Sequence, residues 1–322
     1  MTKPYKLYLS DKDNAETLAL IAGSNEGMYR WQPYLKQLQK HFNVFVVDNP
    51  GIGLAPVETV YTIEELAERY HSYLEDCGVT SYHLLGQSLG GFIAQAMAHK
   101  QPNAVKKLVL VSTSVGSFNQ KGIIDFSIDL PTANKKALFG EDFSNKQLAA
   151  MLKNDQEHLN KITLKSKFAS AMASTKFTSV DYVQDIKQQT LLIHGKQDNF
   201  LVYDNSIQLA SLLDNAKMIS LEKVGHLPIV EKPELWNSII DFFNGKDIGE
   251  EVNKTFKLTP ELIKYNKNFK HNVNLKKFKN VLAMTLAGFG TKEKRLEKFE
   301  EFLTKEPKES LIKRITNKLF KR

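Results

Sequence analysis

The stretch "SYHLLGQSLGGFIAQAMAHK" (81–100) constrains this chain more than any other. It begins as a short apolar run with the length and bounds of a buried strand. After Ser88 the large apolar residues Leu89, Phe92, Ile93 and Met97 share one face at a period of 3.6, so a helix follows. Only Gly86-Gln87-Ser88 separates the two patterns, and Gly90 follows two places on. The serine therefore sits in a tight strand-to-helix turn. There the first free N–H groups of the helix point back at it and favour negative charge. A loose glycine-rich turn is the alternative. The position between two elements favours a strained serine whose neighbours must lack a Cβ.

The rest of the chain repeats this alternation. Strands are predicted near 5–10, 18–22, 43–48, 82–86, 107–112, 190–194 and 216–221, and helices near 30–41, 62–76, 89–101, 203–213 and 232–244. Short apolar strands alternating with amphipathic helices predict an α/β fold, with a mostly parallel sheet covered on both faces. Residues 115–188 interrupt the alternation, with helices predicted over 146–158 and 161–175.

Several segments carry a family resemblance in the same order along the chain. They are "LALIAGS" (18–24), "VFVVDNPGIGLA" (44–55), the Ser88 turn, "KLVLVSTS" (107–114), "LLIHGKQD" (191–198) and "VGHLPIVEKPELW" (224–236). Together they resemble the α/β-hydrolase superfamily over roughly residues 5–244, in its serine-nucleophile branch. The resemblance implies the α/β-hydrolase fold, no cofactor, and a helical cap at 115–188 over the site. It implies a small-molecule acyl or ester substrate, cleaved through an acyl-enzyme. It leaves esterase, lactonase, thioesterase, acyltransferase and C–C hydrolase open, together with a non-catalytic binding protein that kept the fold.

A serine hydroxyl needs a base, and the base needs an orienting acid. Among eight histidines, His226 alone lies in a loop after the last core strand, at the edge where Ser88 projects. His194 ends a strand and reads as a packed, hydrogen-bonded structural histidine. Asp198 follows strand 190–194 by a short turn and matches the family's acid position, although a turn or cap role is its alternative. The order Ser88, Asp198, His226 is the one the family implies. The oxyanion donors are then expected to be the backbone N–H groups of Leu89 and Ser24. Two departures stand out: Ala22-Gly23 where the family commonly has His-Gly, and Gln87 where histidine is common. Asn25 and Glu26 also bring polarity near the site, unless they are solvated loop residues. "DNPGIG" (48–53) lacks the spacing of a phosphate loop and reads as a structural turn.

Charge divides the chain. The whole carries +8, but residues 245–322 hold 20 Lys and Arg against 10 Asp and Glu, and residues 1–244 hold 24 against 26. The expected organisation is a hydrolase domain at 1–244 and a basic, mainly helical extension at 245–322. In "ESLIKRITNKLFKR" (309–322) the apolar residues share one helical face, the pattern of a helix lying on an anionic membrane surface. Self-packing or a homodimer contact is the alternative, and nucleic acid is disfavoured because stacking aromatics and recognition motifs are lacking. No apolar run approaches membrane-span length, and with no apolar stretch in the first residues a secretory signal is not expected. Localisation is therefore expected to be cytoplasmic, with a peripheral position at the inner membrane face if the extension binds lipid. The lone Cys77 reads as a packing residue, and no His/Cys cluster has metal-site spacing.

Overall fold

The architecture follows from strands that are apolar on both faces. In β2 (Thr17–Ile21), Leu18 and Leu20 enter one core while Ala19 and Ile21 enter the other. The same split occurs in β3 (Asn43–Val47), with Val44 and Val46 opposite Phe45 and Val47, and in β5 (Val105–Val111), with Val109 and Val111 opposite Leu108 and Leu110. A strand buried on both faces needs helices above and below it, and parallel crossovers supply them. The computed structural model describes residues 2–116, 138–159, 161–252 and 254.

One eight-stranded sheet results, in the order β1-β3-β2-β4-β5-β6-β7-β8. Here β1 is Tyr5–Tyr8, β4 Tyr82–Gln87, β6 Gln189–Gly195, β7 Ala216–Leu221 and β8 Glu250–Glu251. The six central strands run parallel, and β1 and β8 close the two edges antiparallel. β8 was not expected. It carries the sheet past the anticipated boundary at 244, and Lys254 Nζ then donates to Asp214 O at 2.8 Å.

The helices α2 (Ile63–Glu75), α3 (Leu89–Lys100) and α6 (Asp204–Leu212) pack on one face. Thr62 starts α2 with a capping box: its hydroxyl accepts from Glu65 N–H, and the Glu65 carboxylate accepts from Thr62 N–H. The other face is covered by residues 28–38 and by α8 (Leu235–Phe243). The single helix expected at 30–41 is instead a 3-10 helix, Met28–Tyr34, followed by the one-turn α1, Leu35–Leu38. Pro33 lies inside the 3-10 stretch and cannot donate to a regular α-helical ladder. Between β5 and β6 the described residues form α4 (Asn145–Leu159) and α5 (Leu164–Lys176), close to the expected pair.

Cys77 is a free thiol packed against the core, and burial pushes it up from its ordinary value. Among the described residues, no helix is long and apolar enough to cross a membrane and no His, Cys, Asp or Glu group could hold a metal ion. The expected basic helix at 309–322 lies outside the described residues, as does 117–137 within the insertion.

Candidate active site

β4 ends at Gln87 and α3 begins at Leu89, so Ser88 alone makes the turn, with φ 53° and ψ −119°. A non-glycine residue in that region is strained by about 1–3 kcal/mol and persists only where its surroundings enforce it. Here Ser88 N–H donates to Val111 O at 2.8 Å, while Ser88 O accepts from Gly91 N–H at 2.8 Å and from Thr113 Oγ1 at 2.9 Å. The flanking glycines serve close approach. A Cβ on Gly86 would lie 2.2 Å from Gly90 O, and one on Gly90 would lie 2.2 Å from Ile21 O. The turn is clamped from both sides by backbone.

His226 and Asp198 arrive from the loops after β7 and β6, at the same C-terminal edge. His226 Nε2 lies 3.0 Å from Ser88 Oγ, and His226 Nδ1 lies 2.7 Å from Asp198 Oδ2. All three side chains are buried. Asp198 Oδ1 accepts from the N–H groups of Phe200 and Leu201, both at 2.8 Å. Burial by itself raises the Asp198 carboxyl, but the charges of His226 and His194 and their hydrogen bonds outweigh it and hold the group down at about 2. The three residues singled out in the sequence thus form one continuous line of hydrogen bonds.

Two further residues join this line. His194 Nε2 lies 2.8 Å from both Asp198 Oδ2 and Leu201 O. Both neighbours accept, so Nε2 carries a hydrogen. On its other side, Nδ1 meets Ser206 Oγ at 2.5 Å. His194 is buried and hydrogen-bonded, as a packed structural histidine would be, and its carboxylate partner is the one that His226 uses. The signal was its position four residues before Asp198. Glu231, in α7 (Pro228–Glu231), accepts from Gly225 N–H at 2.8 Å and from Gly140 N–H at 2.9 Å. Burial raises its carboxyl despite these bonds. It ties the residue before His226 to the returning end of the insertion, where His226 N–H also donates to Leu138 O at 2.8 Å. A lone carboxylate inside the apolar run "LPIVEKP" was the available clue.

The opposite wall is the loop after β2. Asn49 Nδ2 lies 3.2, 2.8 and 2.9 Å from the carbonyls of Ala22, Gly23 and Glu26, and Asn49 Oδ1 accepts from Tyr70 OH. Asp48 accepts from the N–H groups of Met28 and Leu54 at 2.8 and 2.9 Å. "DNPGIG" thus braces this loop. Neither Ser24 N–H nor Leu89 N–H donates to another described residue. Gly23 brings the two walls together: a Cβ there would lie 3.5 Å from Ser88 Cβ and 3.1 Å from Glu26 Oε2. Above the loop, Ser24 Oγ shares a hydrogen bond with Ser170 Oγ of α5 at 2.6 Å.

Residues 17–139 match a family model described as alpha/beta hydrolase fold. A protein provisionally named carbamate hydrolase RutD, from Pantoea ananatis, is 25% identical over 252 residues, covering 73% of this chain and 90% of its own. A 2-hydroxy-6-oxononadienedioate/2-hydroxy-6-oxononatrienedioate hydrolase of Cupriavidus pinatubonensis is 26% identical over 276 residues, covering 75% and 91%. The solved enol-lactonase from Burkholderia xenovorans superposes with a TM-score of 0.64 at 19% identity, covering 74% of this chain and 95% of its own.

Proposed function

The chain carries the α/β-hydrolase fold, and on that footing we propose that it is a serine hydrolase cleaving a carboxylic ester or a related acyl bond through an acyl-enzyme. The observation that carries this reading is the unbroken line Ser88 Oγ, His226, Asp198, with contacts of 3.0 and 2.7 Å. His226 Nε2 takes the Ser88 proton as Oγ attacks the substrate carbonyl carbon. Asp198 Oδ2 accepts from His226 Nδ1–H, which fixes the tautomer and stabilises the imidazolium. The carbonyl oxygen becomes an oxyanion between the N–H groups of Leu89 and Ser24, neither of which donates to another described residue. The imidazolium gives its proton to the departing alcohol. Water, deprotonated by the same imidazole, then releases the acid and restores Ser88.

A fluorophosphonate tests the nucleophile, and a short soluble p-nitrophenyl ester tests the reaction. Label on Ser88 together with ester turnover that is lost in Ser88→Ala supports the reading. Turnover at the wild-type rate in Ser88→Ala sinks it.

For the basic extension, the one-sided apolar face of 309–322 and its Lys and Arg residues support contact with an anionic membrane surface. A chain ending at 254 keeps β8 on the sheet. It should hydrolyse the soluble ester while losing the salt-sensitive liposome binding of the full chain. Equal liposome binding by both chains overturns that assignment.

A further inference from the structure

The wall facing Ser88 is charged in an unbalanced way. Arg30 is buried at 9% exposure, and its Nε donates to Glu26 Oε1 at 2.7 Å. Its Nη2 pairs with Glu26 Oε1 as well and reaches Asp155 of α4 at 3.0 Å. One guanidinium is thus committed to two carboxylates, one from the oxyanion loop and one from the inserted helices. Its Nε and Nη2 donors are therefore taken up by this chain's own carboxylates. Glu26 Oε1 takes the guanidinium, and Oε2 has no donor among the described residues although the side chain is only 13% exposed. Oε2 is the atom that meets Gly23 at the place where Gly23 also meets Ser88 Cβ. Beside it, Asn25 holds a φ of 60°, and its Oδ1 is a buried acceptor lacking a partner among the described residues.

We propose that Glu26 sets the substrate class. The site takes an acyl substrate that presents an ammonium or other N–H donor close to its carbonyl, and it rejects one that presents a carboxylate there. A cation or N–H donor meets the open Oε2. A carboxylate meets like charge in a water-poor site, where screening is weak. The known dienedioate hydrolase named above acts on a doubly carboxylate-bearing compound, so this wall predicts a different preference here.

This inference rests on the serine-hydrolase reading, and the test separates the two. The rate of Ser88 labelling is measured with three phosphonate probes of equal length, whose tails end in an ammonium, a methyl or a carboxylate. Full-length wild type and Glu26→Gln are compared at low and physiological salt. The expected result is ammonium over carboxylate by at least about 10-fold in wild type, collapsing toward unity in Glu26→Gln, with each charged-probe rate referred to the methyl-probe rate of the same protein. Circular dichroism and the urea midpoint certify that the variant is folded. If Ser88 labels but the charged probes react alike, or the Glu26→Gln ratio equals that of wild type, the specificity assignment is overturned and the hydrolase reading stands. If no probe reaches Ser88 in wild type, both fall. Should Glu26→Gln fail to fold, Glu26→Asp gives the second reading: retreat of the carboxylate by one methylene should lower the ratio, and an unchanged ratio overturns the proposal.

Discussion

The two walls of the site are built differently. On the histidine side the carboxylates that hold the site together are paired several times over. Asp198 takes two imidazoles and two backbone N–H groups, Glu231 takes two more, and Ser88 is clamped through its own peptide groups. On the oxyanion-loop side the backbone is braced by Asn49 and Asp48, but acceptors at Asn25 and Glu26 are left without a donor among the described residues. A satisfied polar network fixes one geometry, and an unsatisfied one invites a ligand. On the proposed reading the difference divides chemistry from selectivity: the first wall would hold the reacting atoms still, and the second would choose what they react with.

The sharpest way to break this contrast is to remove the reacting groups. Ser88→Ala and His226→Ala should each lower kcat/KM for an ester by at least about 10⁴-fold, with unchanged circular dichroism. Asp198→Asn should approach the same loss, because it misorients the base. Stopped or discontinuous ester assays check all three. Second in size is the clamp on the turn. Gly90→Val drives a side chain onto Ile21 O, where even a Cβ would lie 2.2 Å away, and should cost a few kcal/mol of stability together with activity. Urea melts measure it, and an unchanged midpoint with unchanged rate means that the turn is loose.

Third comes the pH response of the satisfied wall. Asp198 is held at about 2, below its ordinary 3.8, so the unfolded chain binds that proton more readily. Its stabilising contribution is complete above roughly pH 4 and is lost as the pH falls toward 2, by about 2 kcal/mol. Urea melts across pH 5 to 2 should show this slope in wild type and a reduced one in Asp198→Asn. The smallest effect belongs to the second imidazole: His194→Gln should lower kcat about 10-fold with little change in KM, since it touches the carboxylate and not the substrate. A KM rise with unchanged kcat assigns His194 to substrate binding instead.

Much of the first wall was legible in the sequence because local patterns encode it. The strand-to-helix switch around Ser88 is a change of period, and loops after predicted strands put Asp198 and His226 at one edge, where the family resemblance singles them out. What sequence could not give were contacts between segments far apart in the chain. Gly140 to Glu231 and Arg30 to Asp155 join the insertion to the core across 91 and 125 positions, and no local period announces them. The strand β8 was hidden for another reason: two exposed glutamates carry no apolar alternation, and pairing with β7 alone makes them a strand. The helix expected at 30–41 is broken where Pro33 cannot donate to an α-helical ladder.

The central claim is that Ser88 is a nucleophile activated by His226. Labelling of the full-length protein with a fluorophosphonate, followed by mass mapping of the modified peptide, tests it most directly. The account predicts a single adduct on Ser88, formed rapidly in wild type, slowed by orders of magnitude in His226→Ala and absent in Ser88→Ala. Label elsewhere, or a Ser88 adduct that forms equally fast without His226, contradicts it.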